Sequence, residues 1–323
     1  MNYRALGRTG IAVSEIGFGA WGIGGRTGGH TSYGDTDDRV SVAALARAHE
    51  CGITFFDTSA AYGNGHSEAL IGRAFRGRDD VVVATKAGYE AWDKPADFSA
   101  AAVVASTERS LRRLQTGRID LLLLHSAPPD ALRREDLRRA LERLVDDGKV
   151  RAWGLSAKSP SDALAAMAIC EVPVIQANFN MMDVRAVTGG LFAELSRCGT
   201  GFIARTPLCF GFLTGTVTRR TAFPPGDHRL AWPSRQLANW IDGATDLLDA
   251  VAAAPGAPAV RAALRFCLSF GEVATTIPGI LTPREAEENA GASALGPLAA
   301  EAVEAVLRIN RQRQFFVAGP KPS

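Results

Sequence analysis

Four side chains of complementary chemistry follow short apolar runs along the chain. Asp57 closes "TFFD", Tyr62 follows within "DTSAAYGNG", Lys86 closes "VVVATK" and His125 closes "DLLLLH". Each run reads as a buried strand, and an ionisable group at the end of such a strand faces an opening or is costly to leave unpaired. Taken singly, each has an ordinary structural explanation: Asp57 as a helix cap, Lys86 with its charged end drawn to solvent, His125 as a satisfied buried histidine. Taken together, they are hard to explain as packing. A tyrosine hydroxyl has an ordinary pKa of about 10, too high for easy proton donation at neutral pH. A neighbouring ammonium stabilises the phenolate and lowers that value. The ammonium in turn needs a carboxylate, and an imidazole can donate a hydrogen bond to a carbonyl oxygen that gains negative charge. Such a set would polarise a C=O, protonate it and leave its carbon open to hydride. No side chain supplies hydride, so the chemistry calls for a nicotinamide.

These residues need a scaffold that brings several strand ends to one rim. Aliphatic runs are expected as strands at Glu15–Gly19, Ile53–Asp57, Val81–Thr85, Asp120–His125, Arg151–Ser156, Val174–Asn178, Gly201–Arg205 and Ala274–Pro278. Amphipathic helical stretches such as "DDRVSVAALARAHECG" and "REDLRRALERLVDDG" alternate with them. Eight such units predict an α/β fold, a (β/α)8 TIM barrel, and the length of 323 residues fits a barrel of roughly 250 residues with insertions. Loop lengths point the same way. Connections from helix into strand are short ("ECG", "QTGR", "DDGK"), whereas several out of strands are long, such as "KAGYEAWDKPADFS" and residues 206–235. Strand-to-helix loops all emerge at one end of a barrel, the end that builds its active site. "YRALGRTGIAVSEIG" reads as a β-hairpin with its turn at Gly7–Gly10, capping the plain end. "ALGPLAAEAVEAVLRINRQR" adds a C-terminal helix. One domain is expected over residues 1–323, with a flexible tail from about residue 312.

The run "IGFGAWGIGG" matches G-x-G-x-x-G at Gly17, Gly19 and Gly22, with Asp37 and Asp38 roughly where a ribose-binding acid would be sought. A dinucleotide fingerprint opens a helix directly, but here glycines continue into "GRTGGHTSYGD" and the first helix cannot begin before about Thr36. The run is therefore read as a strand end and a loop.

Composition excludes several classes. A net charge of +2 favours neither nucleic acid nor an anionic membrane. No apolar run approaches the ~18 residues of a membrane span, and the first residues lack a signal-peptide core. Five scattered cysteines without a C-x-x-C pair suit reduced thiols and no metal site. A cytoplasmic location is expected.

The sequence resembles the aldo-keto reductases over nearly its whole length. The resemblance rests on "YRALGRTGIAVSEIGFGAWG", "FFDTSAAYGNGHSEALIG", "ATKAG", "LLLLHS", "VRAWGLSA", "PLCFGFLTG" and "IPGILTPREAEENAGAS", in that family's order and spacing. It implies a barrel that binds NADP(H) or NAD(H) without a Rossmann fold and acts on a small-molecule carbonyl or alcohol. The implied catalytic tetrad is Asp57, Tyr62, Lys86 and His125, with Tyr62 as general acid or, in oxidation, base. Implied cofactor positions are Gly19, Ala20 and Trp21 near the nicotinamide, and Ser156 and Gln176 on its carboxamide. Ala157 stands where an asparagine is common. Arg205 occupies the place of a ring-stacking tyrosine, and a planar guanidinium can stack too but adds charge. Thr206, Leu208, Gly211 and Gly215 match a pyrophosphate-clasping loop that also contains Cys209, for which a structural role is expected over a redox one.

The 2′-phosphate site departs from the pattern. Glu288 and Asn289 match adenine-contacting positions, but Gly279, Leu281 and Glu285 stand where basic residues would meet that phosphate, and Arg284 is displaced by one residue. One residue turns a helical side chain by roughly 100°. A carboxylate at Glu285 would repel a phosphate and accept hydrogen bonds from a ribose diol, so specificity leans to NAD. Two further readings stand beside an enzyme that interconverts a carbonyl and an alcohol. One is a nucleotide-binding regulatory subunit resembling potassium-channel β subunits; the other is an NAD-preferring sugar dehydrogenase or sugar-modifying reductase. Trp21, Tyr33, Trp92 and Phe223 are candidates for an aromatic substrate wall, and Arg220, Asp227, His228 and Arg229 for contacts to a polyol or anion.

Overall fold

The computed structural model describes residues 1–27 and 32–317. Residues 28–31 of the glycine-rich loop and the last six residues lie outside that set. Strands β1 (Tyr3–Ala5) and β2 (Ala12–Ser14) pair antiparallel as the expected hairpin. Eight parallel strands follow: β3 (Phe18–Gly19), β4 (Phe55–Asp57), β5 (Val82–Ala87), β6 (Ile119–His125), β7 (Val150–Ser156), β8 (Val174–Asn178), β9 (Gly201–Arg205) and β10 (Val273–Ile277). They run in sequence order, and the ring closes where the Gly17 N–H donates to the Thr276 carbonyl and the Gly19 N–H to that of Pro278. The architecture is a (β/α)8 TIM barrel.

Helices surround it: α1 (Asp38–Glu50), α2 (His66–Phe75), α3 (Ala100–Leu114), α4 (Glu135–Asp146), α5 (Pro160–Met167), α6 (Arg185–Thr188), α7 (Leu191–Cys198), α8 (Ser234–Ala250), α9 (Ala257–Leu268), α10 (Pro283–Ala294) and α11 (Ala300–Gln312). Their starts follow from capping chemistry. The Asp37 carboxylate accepts from the N–H groups of Arg39 and Val40, and the Ser99 hydroxyl from that of Ala102, which satisfies first-turn donors. Asp37 is thus a cap for α1, consistent with reading the preceding glycines as a loop. Gly24 has its own reason to be glycine, since a Cβ there would lie 2.9 Å from the backbone at Tyr62 and Gly63.

Two apolar layers hold the barrel. The outer one, between strands and helices, includes Phe56, Leu122 and Leu124; the inner one fills the barrel with Phe55, Ala84, Leu121, Leu123, Val174 and Ile203. Adjacent strand residues fall in opposite layers because a strand's side chains alternate between its faces. Leu6, Ile11 and Val13 of the hairpin join the inner layer, plugging the end at which the strands begin. Arg4 pins the hairpin there by donating to the carbonyls of Leu268, Phe270 and Val273. The opposite rim carries the long connections.

The chain end departs from expectation in part. Residues 313–317 are anchored: Phe315 is buried, its carbonyl accepts from Gln236 and Asn239, and the Val317 N–H donates to Gln236 Oε1. An aromatic ring that buries its surface on α8 outweighs the entropy of so short a segment.

Candidate active site

Strand alternation delivers the polar residues to one place. Inward positions read Phe55 then Asp57 on β4, Ala84 then Lys86 on β5, and Leu121, Leu123 then His125 on β6. The last inward rung of each strand is therefore polar, and it sits where the barrel opens. Lys86 Nζ donates to Asp57 Oδ1 (2.5 Å), to the Thr58 carbonyl (2.8 Å) and to Tyr62 Oη (3.2 Å). Tyr62 comes from a 3-10 turn, Tyr62–Gly65, just after β4, which brings its ring over the lysine. The His125 ring packs edge-on to that of Tyr62, with centroids 5.9 Å apart. The tetrad named from the sequence is assembled as one cluster.

Burial changes the electrostatics from the simple expectation. The Lys86 ammonium is almost fully buried; burial works against its charge, but Asp57 and Tyr62 together raise its pKa above the ordinary lysine value. Tyr62 was expected to be depressed by the lysine. Its pKa is instead raised: desolvation of the phenolate outweighs the pull of Lys86, with Asp57 adding to the rise. Lys86 moderates the acid without inverting the effect of burial. His125 is pushed well below its ordinary range, first by burial and then by the charges of Lys86 and Arg205, and so stays neutral. Ser59 Oγ lies 3.0 Å from His125 Nδ1 and accepts from the Ala61 N–H. Sequence reasoning passed over Ser59, although it lies within the quoted "DTSAAYG" stretch.

A cleft of about 650 Å³ opens over the cluster, within the usual size range for small-molecule sites. Its lining takes in Gly19, Trp21, Asp57, Tyr62, His125, Gln176, Arg205, Thr206, Leu208, Gly211, Gly279 and Glu285 from the expected set. Tyr33 and Trp92 of the expected aromatic wall also line it, as do Asn178 and Phe210, which the sequence did not single out. Ser156 stands behind the lining and is fully buried. Its hydroxyl donates to Gln176 Oε1 (2.9 Å), and Gln176 Nε2 donates to Asp57 Oδ2 (2.7 Å), so these two amide-binding candidates also hold the tetrad carboxylate. Ala20 is buried beneath, its N–H donating to the Asp57 carbonyl. Arg205 is half-buried and donates to Asn178 Oδ1, Ser156 Oγ and the Ala157 carbonyl.

The loop after β9 carries unusual backbone. Thr206, Cys209 and Phe210 take positive φ (52°, 44° and 57°), as does Gly211 (91°). Left-handed conformations at non-glycine residues are costly and cluster at ligand clamps. Cys209 is buried, and burial pushes its thiol pKa far up. Gly215 ends the same turn, outside the cleft lining.

The α10 start also differs from expectation. Glu285 was expected to face a ribose diol. Its Oε2 instead accepts from the N–H groups of Leu281 (2.7 Å) and Thr282 (3.1 Å), while Thr282 Oγ1 accepts from the Glu285 N–H, a complete capping box. Arg284 is exposed and paired along the helix with Glu288, and buried Asn289 lies outside the lining with them. The remaining loop candidates divide. Trp21 and Tyr33 pack edge-on to each other and to His228, while Trp92 and Tyr89 flank His125 at 5.2 and 5.7 Å. Phe223 lies against Phe212 and under Arg229, outside the lining. Asp227 is wholly buried in a bidentate pair with Arg229, both in the cleft lining, and Arg220 is exposed outside it. No cluster of metal-binding side chains occurs among the described residues, and no helix there is long and apolar enough to cross a membrane.

The family model described as "Aldo/keto reductase family" matches residues 15–311. The chain is 34% identical to "Aldo-keto reductase YhdN" of Bacillus subtilis (strain 168), over 71% of this chain and 69% of that protein. It is 28% identical to an "NADH-specific methylglyoxal reductase" of Escherichia coli (strain K12), over 89% and 92% of the two chains. Among solved structures, the holo form of aldo-keto reductase AKR11C1 from Bacillus halodurans superposes with a TM-score of 0.77 at 26% identity, covering 96% of each chain.

Proposed function

From the chain's membership of the aldo/keto reductase family, a class of NAD(P)H-dependent oxidoreductases acting on carbonyls and alcohols, we propose that it reduces a small aldehyde or ketone, with Tyr62 as the proton donor and NADH the preferred cofactor. The observation that carries this reading is the Lys86 ammonium, held between Asp57 Oδ1 and Tyr62 Oη at the base of the cleft.

The cleft suits the nicotinamide dinucleotide in its donor set: an amide and a guanidinium at the floor, and a left-handed backbone loop along one arm. Gln176 and Arg205 would hold the nicotinamide end, with Ser156 fixing both from behind, and the loop at Thr206, Leu208 and Gly211 the phosphates. When bound, the cofactor supplies the hydride. The chain's own residues handle the proton. Tyr62 gives its hydroxyl proton to the carbonyl oxygen, and Lys86 stabilises the phenolate left behind. Asp57 keeps Lys86 charged and in place, and Gln176 keeps Asp57 oriented. Neutral His125 hydrogen-bonds the same oxygen through Nε2–H. The Ser59 hydroxyl accepts from Ala61 and has its own proton to give to Nδ1, which leaves the ring proton on Nε2. Trp92 lines the cleft beside Tyr62 and His125 and would wall the reacting carbonyl.

The preference for NADH follows from α10. The Leu281 and Thr282 N–H groups just ahead of its first turn, which would attract a 2′-phosphate, are already taken by the Glu285 carboxylate, and Arg284 is tied to Glu288 on the exposed side. One relative bears the name of an NADH-specific reductase. Tyr62→Phe should cut kcat for carbonyl reduction by about 10²-fold or more, the usual worth of a positioned acid. Its Kd for NADH should stay within about twofold of the wild type, because the phenol is not among the groups proposed to hold the dinucleotide. Steady-state kinetics and fluorescence titration check both. Retention of more than a tenth of kcat would remove Tyr62 from the role.

A further inference from the structure

Positive and negative charge are unequal at the floor of the cleft. Lys86 is matched by Asp57 in a direct buried pair. Arg205 has no such match: it makes no ion pair among the described residues, and its three acceptors, the Asn178 amide, the Ser156 hydroxyl and the Ala157 carbonyl, are neutral. Those bonds hold the guanidinium flat against the ends of β7 and β8. One N–H on each of its terminal nitrogens has no partner among the described residues, and the side chain lines the cleft. A chain of hydrogen bonds runs from it through Ser156 and Gln176 to Asp57, and so to Lys86 and Tyr62. A charge left without a counter-charge in a partly desolvated position is costly to the fold. Neutral acceptors anchor it without neutralising it.

We infer that Arg205 makes the cleft discriminate between the oxidation states of the nicotinamide, binding the neutral reduced ring more tightly than the cationic oxidised ring. The inference rests on the reading of Tyr62 as proton donor. A ring that passes hydride to the carbon bonded to the oxygen Tyr62 protonates has to lie over this same floor. There the oxidised ring adds a positive charge beside Arg205 and Lys86, against the carboxylate of Asp57, which Lys86 already takes, and that of Asp183, which Arg185 already takes; the reduced ring adds none. Like charges several ångströms apart at an effective dielectric near 20 repel enough to change an affinity by on the order of tenfold or more. The same charge favours the reductive direction, since it holds NADH and speeds the loss of NAD⁺.

The test is titration of the purified protein with NADH and with NAD⁺, followed by quenching of tryptophan fluorescence, in the wild type, Arg205→Lys and Arg205→Gln. The wild type should show a Kd ratio, oxidised over reduced, of about tenfold or more. Arg205→Lys should keep most of that ratio, because it keeps the charge while losing the planar fork. Arg205→Gln should bring the ratio close to one, chiefly by tighter binding of NAD⁺. If circular dichroism shows that Arg205→Gln does not fold, Arg205→Met, which fills the space without charge, takes its place. A wild-type ratio near one, or a ratio unchanged in the neutral variant, overturns the inference and leaves the proposed reaction standing. Failure of the wild type to bind either nucleotide overturns the proposed function and this inference with it.

Discussion

Lys86 shows how much of the chemistry rests on one side chain's surroundings. It is an ammonium with almost no solvent, and it donates to a carboxylate, a carbonyl and a phenol at once. Burial raises the Tyr62 pKa and Lys86 pulls it back. Removing the lysine charge therefore leaves burial unopposed. In alcohol oxidation Tyr62 must act as a phenolate, so Lys86→Met should move the rising limb of the pH–rate profile to higher pH. It should also cost on the order of 3–5 kcal/mol of stability, the usual penalty for breaking a buried pair and stranding its partner. Asp57→Asn should move the limb the other way, to lower pH, since the carboxylate that adds to the rise is gone while the ammonium remains next to the phenol. A profile that keeps its position in both variants would mean that Lys86 does not tune Tyr62.

At the scale of elements, the start of α10 combines a structural and a recognition role in one side chain. Glu285 closes the capping box with Thr282, and in doing so places a carboxylate over the helix N-terminus beside the cleft. Charge and cap can be separated, because glutamine at the same position also completes a capping box. Glu285→Gln should therefore leave the melting temperature nearly unchanged. It should tighten NADPH binding several-fold and NADH binding little, since a 2′-phosphate brings about two negative charges. The comparison of the two dissociation constants checks this; an unchanged ratio would place the 2′-position away from α10. The loop after β9 works differently. Its left-handed residues at Thr206, Cys209 and Phe210 are strained, and the Cys209 side chain is buried in the core.

The whole molecule couples its stability to the same site. His125 is kept neutral by burial and by the charges of Lys86 and Arg205, with a pKa well below 6.5. In the unfolded chain it protonates near that ordinary value, so below it the unfolded state binds more protons. The stability from the neutral ring is complete above pH 6.5 and is lost as the pH falls from there toward the depressed pKa. Urea unfolding should show a decline below that pH with a slope from this group of at most roughly 1.4 kcal/mol per pH unit. His125→Gln should flatten that part of the curve. An identical decline in the variant would assign it to other groups.

Much of this was legible before any coordinates. Alternation along β4, β5 and β6 is written in the order of apolar and polar residues, and a period of two leaves Asp57, Lys86 and His125 no face but the one shared with Phe55, Ala84 and Leu123. The eight strands, the hairpin plug and the unequal loops were readable for the same reason: local periodicity and turn residues act over a few neighbours. Three matters depended on tertiary structure. The Tyr62 pKa depends on how completely the loops exclude water, which no spacing records. The bond from Ser59 to His125 joins residues 66 apart in sequence, and only the register of the barrel brings them together. Glu285 had two uses open to a carboxylate, a ribose or its own helix start. The capping box of the folded chain took it, because N–H groups three and four residues back are always within reach, whereas a ligand must first arrive.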